Sequence, residues 1–513
     1  MKNLIEMIER ATEKFPHKIA FSDERRSVTY REFYKNSRAV ASTVANAGLF
    51  RKPVAVMFER SVENLEVMAG VLLSGNFYAV IDCEMPTERI KQIFKMLEPS
   101  ALLISDSCAE KAVQTGFDGK IIKYSEAVLT EPFDELMLEI KASVIDTDPA
   151  YVLFTSGSTG VPKGAVISHR SLISYIRWFS DTFGIDGETV FGSQTPFYFS
   201  MSVSDVFSTI YKGATLNIIP KTLFSFPIKL IEFLNERRVN TIYWVPSAMC
   251  IIANLKVFDY CKPESLKKVL FAGEVMPVKQ LNYWMERIPK AMYANLFGPT
   301  ETTDICTYYI VDRKFSDSET LPIGKHCDNC DVFVVNENGK AADIGESGEL
   351  YARGSFLAMG YYNNPEKTAE AFIQNPLNHS YPETVYKTGD LVKYNEEGNL
   401  IYLSRKDFQI KHMGYRIEPG EIEAAVGAVD RIAACAVVYD KTDDKITLFY
   451  QGKKITDSEL AESLAKRLPV YMMPEVYISL KQFPYNSNGK IDRKLLKENL
   501  RQIKMGENYG KAY

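Results

Sequence analysis

The densest chemistry in this 513-residue chain lies in one short segment, Thr155-Ser156-Gly157-Ser158-Thr159-Gly160-Val161-Pro162-Lys163-Gly164. Its glycines let backbone amides approach an anion closely. The hydroxyls of Thr155, Ser156, Ser158 and Thr159 suit phosphate oxygens, and Lys163 adds a positive charge. The segment comes near a Walker A loop without being one. Pro162 stands where the second glycine belongs, and Gly164 follows the lysine in place of Ser or Thr. These residue types support phosphate handling on a different scaffold. A flexible surface loop is the bland alternative, and the loop alone does not decide between the two.

The elements around the loop must hold it. Tyr151–Thr155 reads as a buried strand entering it, and Ala165–Ser168 leaves it. Pro53–Phe58, Tyr78–Asp82 and Ala101–Ser105 are strands of the same apolar type, with helical spacing over Val62–Leu73. This alternation predicts an α/β fold of layered subdomains with mainly parallel sheet. From Gly324 the texture becomes hairpin-like, with Val332–Val335, Gly348–Arg353 and a turn inside Tyr394–Tyr402, which predicts a β-barrel-like subdomain. Beyond Asp407 the pattern is α+β: helices over Pro419–Val426 and Asp457–Arg467, strands over Ala433–Tyr439 and Ile446–Tyr450. The expected division is a large domain over 1–406, a small mobile domain over 407–500 and a polar, frayed tail over 501–513.

Net charge is −4, with 46% apolar and 25% charged residues, which favours neither nucleic acid nor membrane as partner. Met1–Met7 reads as the start of an amphipathic helix and not as a secretory leader. No apolar run is long enough to span a bilayer. Eight scattered cysteines fit a reducing, cytoplasmic compartment. Cys327-Asp-Asn-Cys330 is a lone CxxC, read as structural thiols with a redox or metal role as the alternative.

The loop resembles the signature of the adenylate-forming superfamily, which includes amino-acid-activating domains of nonribosomal peptide synthesis, acyl-CoA ligases and luciferases. Further segments resemble its motifs in the family's order: Val28–Phe33, Leu73–Asp82 with Pro86–Ile90, Asn295–Thr303, Tyr386–Asp390, Ser404–Lys411, Gly414–Glu423, Leu468–Pro474 and Asn488–Arg493. The overall texture is similar to D-alanine–carrier protein ligases. The resemblance implies a ligase that uses ATP and Mg²⁺ to join a carboxylate to AMP, releases pyrophosphate, and passes the acyl group to a thiol. It assigns the nucleotide to the phosphate loop, to Asn295, Leu296, Phe297, Gly298, Pro299 and Thr300, and to Asp390, Tyr402 and Arg405. Glu301 would hold the metal. Thr155, Lys163, Glu301 and Lys490 would be catalytic, with Lys490 bridging two mutually repelling anions. Asp407 would be the hinge, and Gly414 would let the thiol arm approach closely. Ser404, His412 and Met413 depart from the usual hinge pattern.

The acid pocket implied by the motifs comprises Phe199, Ser200, Met201, Ser204, Tyr243, Leu270, Ala272, Leu296, Asp304 and Ile305. Amino-acid-activating relatives carry an aspartate after the phenylalanine to pair with an α-ammonium. Here it is Ser200, and a hydroxyl is no charge partner for a buried ammonium. Asp304 is the candidate replacement, with a helix-capping or solvated aspartate as the bland alternative. Asp205 is a second candidate. The expected substrate is therefore a small β- or ω-amino acid such as β-alanine. An aryl or hydroxy acid and D-alanine remain open. The expected acceptor is a phosphopantetheinylated carrier protein in trans, since only a short segment follows Lys490. Free CoA is the runner-up, and a non-catalytic nucleotide-binding scaffold is the other class.

Overall fold

The computed structural model describes residues 1–504 apart from 158–160, 318, 329, 407–408, 441–442, 453–454 and 485–490. It divides into two compact units. The first comprises Met1–Cys83, Leu97–Phe154 and Gly164–Lys406, and the second comprises Glu84–Met96, Thr155–Lys163 and the described part of 407–513.

In the first unit, Pro53–Phe58 is buried at every position and pairs in parallel with both Phe77–Asp82 and Ala101–Ile104. A strand covered on both faces needs a continuous apolar run, and this sequence supplies one. The full sheet has seven strands, in the order Gly360–Tyr361, Lys163–Ser168, Pro149–Thr155, Phe77–Asp82, Pro53–Phe58, Ala101–Ile104 and Lys120–Lys123. A second, nine-stranded sheet has Val190–Ser193, Thr241–Trp244, Lys268–Ala272 and Met292–Phe297 as parallel neighbours at its centre. One hydrophobic core contains residues of both sheets, including Val54, Leu103, Phe191 and Leu270. Side chains start the helices: Ser61 accepts the Asn64 amide before Val62–Leu73, and Thr29 and Glu32 form a reciprocal capping box. Five antiparallel strands follow: Cys330–Val335, Ser347–Gly354, Phe372–Gln374, Thr384–Tyr394 and Leu400–Arg405.

The second unit contains a hairpin of Ile410–His412 and Tyr415–Ile417. Its turn residues, Met413 and Gly414, have φ of 51° and 81°. Two consecutive positive φ values match the twist of a tight hairpin, a shape natural to glycine and costly for methionine. The His412 ring is held at 3.0 Å from both Asp444 and Glu475. The helices Pro419–Gly427 and Asp457–Ala465 pack with the strands Ile432–Asp440, Lys445–Gly452 and Val476–Ser479. The final helix, Arg493–Lys504, runs past the expected start of the tail at 501, because buried Leu496 and Leu500 anchor its last turns. Residues 505–513 lie outside the described ones.

Candidate active site

Asp304 is only 2% exposed, and among the described residues its carboxylate accepts four side-chain hydrogen bonds. Tyr175, Tyr243 and Ser204 reach Oδ2 at 2.9, 2.9 and 3.0 Å, and Ser200 reaches Oδ1 at 3.1 Å. Four separate stretches of chain supply these groups and the carboxylate. Tyr175 comes from the helix His169–Thr182, Ser200 and Ser204 from the start and first turn of Met201–Lys212, and Tyr243 from the strand Thr241–Trp244. Asp304 itself follows Thr303, whose φ is +65°. A β-branched residue there carries local strain of about 1–3 kcal/mol, so the surrounding fold must impose the turn. Gly298 makes the turn possible, because a Cβ there would collide with the backbone of Asp304 and Ile305.

Burial pushes the Asp304 carboxyl up to about 6, while the hydroxyls of Tyr175, Tyr243, Ser204 and Ser200 pull it down. Leu270, Ala272 and Leu296 lie on adjacent strands, with Tyr243 opposite Leu270 and Ala272 opposite Leu296. Met201 and Ile305 are also buried, and Phe199 is half-buried. Asp205 is fully buried. Burial raises its carboxyl well above the usual range; the Ser193 hydroxyl opposes this, Asp304 adds to it, and Arg60, itself fixed on the carbonyls of Ser193 and Gln194, opposes it.

The candidate nucleotide residues of the first unit make separate pairwise contacts. Asp390 and Arg405 are opposite each other on paired strands and form a buried ion pair at 3.1 Å. Arg405 also donates to the Thr388 carbonyl at 2.9 Å. The Phe297 and Tyr402 rings lie 5.7 Å apart at 42°. Asn295 donates to the Pro322 carbonyl at 2.8 Å. Glu301 is fully buried and accepts a 2.6 Å bond from the Tyr361 hydroxyl.

The described residues of the candidate phosphate loop, up to Lys163, belong to the second unit. The Thr155 hydroxyl donates to the Lys163 carbonyl at 3.4 Å, and Ser156 donates to the Arg416 carbonyl at 2.7 Å. Gly157 turns so tightly that a Cβ would strike the Val161 carbonyl. Its amide lies beside Glu421, which burial pushes up to about 7 against the pull of Arg89 and of that amide. Ser158, Thr159, Gly160, Asp407 and Lys490 lie outside the described residues.

The family model described as AMP-binding enzyme matches residues 8–362. This chain belongs to the AMP-binding enzymes. It is 32% identical to the D-alanine–D-alanyl carrier protein ligase of Lacticaseibacillus casei (strain BL23), across 96% of this chain and 98% of that protein. It is also 33% identical to bacitracin synthase 3 of Bacillus licheniformis, over 97% of this chain but only 8% of that protein. The chain spans 45% of tyrocidine synthase 1 from Brevibacillus parabrevis, at 30% identity. Among solved structures, the Vibrio cholerae adenylation domain AlmE, in complex with glycyl-adenosine-5'-phosphate, aligns with a TM-score of 0.82 at 22% identity, covering 97% of each chain. The o-succinylbenzoate CoA synthetase MenE of Bacillus subtilis aligns with a TM-score of 0.85 at 20% identity, covering 97% of this chain and 98% of that one. Both are likenesses of fold.

In this AMP-binding enzyme, two site-adjacent residues escaped the sequence reading. Tyr175 shares a helix face with Leu172, Ile176 and Phe179, all buried, so its spacing reads as core. Its hydroxyl was the available signal, because a buried phenol needs a partner. Tyr361 lies beyond the adenine-site motif that carries Glu301, and no spacing links the two. Cys327 and Cys330 are free, buried thiols, with Cys330 donating to the Cys306 carbonyl at 3.3 Å. No helix among the described residues is long and apolar enough to cross a membrane.

Proposed function

We propose that the protein activates a small amino acid whose amine is not on the α-carbon, and loads it onto a carrier protein. The observation that carries this reading is the buried Asp304 carboxylate, ringed by hydroxyls in the pocket from which the usual aspartate is missing at Ser200. A β- or ω-amino acid such as β-alanine reaches Asp304 with its ammonium while its carboxylate is presented to ATP.

In the first half-reaction a substrate carboxylate oxygen attacks the α-phosphorus, the bond to the β-phosphate breaks, and pyrophosphate leaves. Glycines and hydroxyls of the Thr155–Gly164 loop hold the phosphates, Asp390 binds ribose hydroxyls, and Phe297 lies on adenine with Asn295 at its edge. Lys490 neutralises the meeting anions. Among the described residues no group of three or more His, Cys, Asp or Glu side chains is placed to hold a metal. A single hard carboxylate, Glu301, nevertheless fits Mg²⁺, which is commonly held by one carboxylate plus substrate phosphates. The ion would supply charge neutralisation at the phosphate oxygens.

In the second half-reaction the thiol sulfur of a phosphopantetheine arm attacks the acyl carbon, the thiol proton is lost and AMP leaves. Asp407 is the hinge in this reading, and Gly414 leaves room for the arm. The relative named as a D-alanine–D-alanyl carrier protein ligase, matched over 98% of its own length, supports a carrier supplied as a separate chain. A cytoplasmic setting belongs to the same proposal.

ATP–pyrophosphate exchange across α-, β-, ω-amino, aryl and hydroxy acids tests it. Exchange should be strongest with a β- or ω-amino acid and fall about a hundredfold in Asp304→Asn, the scale of removing a buried charge partner. Robust exchange with L-α-amino acids or D-alanine, unchanged in that variant, overturns it. Thioester assays with CoA and a holo carrier side by side identify the acceptor.

A further inference from the structure

We infer that Tyr175 is a positioning residue for substrate selection: with Tyr243 and Ser204 it fills Oδ2 of Asp304, so that Oδ1 and Ser200 Oγ together read one primary ammonium. This deepens the proposed role of Asp304 and rests on it.

The argument begins with lone pairs. A carboxylate oxygen has room for about two donors. Oδ2 has three hydroxyls within 3.0 Å, and Tyr175 also lies 2.8 Å from Ser204 Oγ. Whether Tyr175 donates to Oδ2 directly or through Ser204, Oδ2 is filled. Among the described residues Oδ1 has only Ser200, at 3.1 Å. Tyr175, Ser204 and Tyr243 are at most 1% exposed, whereas Ser200 is half-buried, so Oδ1 is the edge nearer accessible space.

Ser200 thereby gains a use. Having given its proton to Oδ1, its oxygen can only accept. Two acceptors 3.1 Å apart then converge on the same approach, a spacing that one ammonium can bridge with two of its three protons. A guanidinium needs both carboxylate oxygens for its planar fork, and Oδ2 is taken. The arrangement therefore favours primary amines over guanidino or amidino acids of the same length. The titratable groups facing Asp304 are Asp205, on the helix Met201–Lys212, and the phenols of Tyr151, Tyr175 and Tyr243. Each is an acid, so the phenol hydroxyls and the incoming ammonium favour the ionised carboxylate while Asp205 disfavours it.

The test is pyrophosphate exchange by wild type, Tyr175→Phe, Tyr243→Phe and Asp304→Asn. Each is assayed from pH 5 to 8 with β-alanine, its des-amino analogue propionate, and guanidinoacetate. Tyr175→Phe should lower the preference for β-alanine over propionate about tenfold, acting through KM more than kcat, the scale of one hydrogen bond to a charged group. It should also move the acidic limb of kcat/KM to higher pH, while wild type should exchange guanidinoacetate far less than β-alanine. Tyr243→Phe should act in the same direction. If both Phe variants weaken β-alanine and propionate equally and leave the acidic limb in place, the tyrosines only pack the core and the inference is overturned. If Asp304→Asn leaves the β-alanine preference intact, the underlying reading of Asp304 fails instead.

Discussion

Arg89 and Glu421 stand 332 positions apart in sequence and form an ion pair in which each side chain is only 4% exposed. Both belong to the second unit, where the short segment 84–96 packs with the C-terminal part of the chain. Taking two charges out of water is costly, and their attraction offsets that cost only while both are present.

At pH 8, above the raised value of Glu421, Arg89→Met alone should therefore destabilise the second unit by about 3–5 kcal/mol, because it leaves a buried carboxyl without its charge partner. The pair Arg89→Met and Glu421→Met should recover most of that loss. Denaturant melts followed by hydrogen exchange in 409–479 check both. Equal destabilisation by the single and double variants would show that the pair contributes nothing by itself. The pH slope has a defined sign. Glu421 is raised to about 7 when folded, so its contribution is fullest below its ordinary 4.5 and is lost as pH rises towards 7.

His169 should give the opposite slope in the first unit. Its Nδ1 accepts the Leu4 amide at 3.2 Å, which ties the helix Leu4–Lys14 to the helix that His169 begins. Burial holds the imidazole down at about 4 from its ordinary 6.5. The unfolded chain takes up a proton first, so stability falls as pH drops from 6.5 towards 4. The full loss is about 3 kcal/mol. Exchange protection of Leu4–Lys14 should fall from pH 7 to 4.5, and His169→Gln should flatten that dependence. A flat wild-type profile contradicts it.

Gly157→Ala should disable the phosphate loop without unfolding the chain. The added Cβ would strike the Val161 carbonyl, so the backbone must move away from the geometry that aims its amides. The expected result is a rise in KM for ATP of roughly tenfold or more, with the thermal midpoint within a few degrees of wild type. Unchanged ATP dependence would mean that the loop tolerates the shift.

His412→Ala should separate the two half-reactions. The ring holds the turn that contains Gly414 by bonding Asp444 and Glu475 at 3.0 Å each. Loosening that turn should slow thioester formation on a holo carrier about tenfold while pyrophosphate exchange stays near wild type. Equal loss in both assays would place His412 in general folding of the unit.

Much of this was legible in the residues, for identifiable reasons. A strand buried on both faces must be apolar throughout, so Pro53–Phe58 was readable from its run alone. Loop chemistry is also local: Gly157 and its hydroxyl neighbours suit an anion by type, though the loop alone does not exclude a plain surface turn. Asp304 stood out in the sequence because Ser200 left a charge unanswered; the structure adds its burial and its ring of hydroxyls. What stayed hidden needed three dimensions. Tyr175 sits in an apolar helical stripe, and only its distance to Asp304 distinguishes it from packing. Arg89 and Glu421 each lie in a recognisable motif, but nothing in either segment names the other as partner.

The interleaving of the second unit also sets a timetable. Its earliest segment, 84–96, leaves the ribosome long before its partners in 409–504 exist. At roughly 5–20 residues per second, Arg89 waits about 15 s to a minute for Glu421. During that interval the nascent first unit can assemble its sheets, but it carries an unmatched arginine on the segment that leads towards Leu97. Completion of the second unit is thus a late event in synthesis, governed by a contact of very long sequence separation. A chain stalled before Glu421 would hold the sequence of the first unit and an Arg89 still without its ion-pair partner.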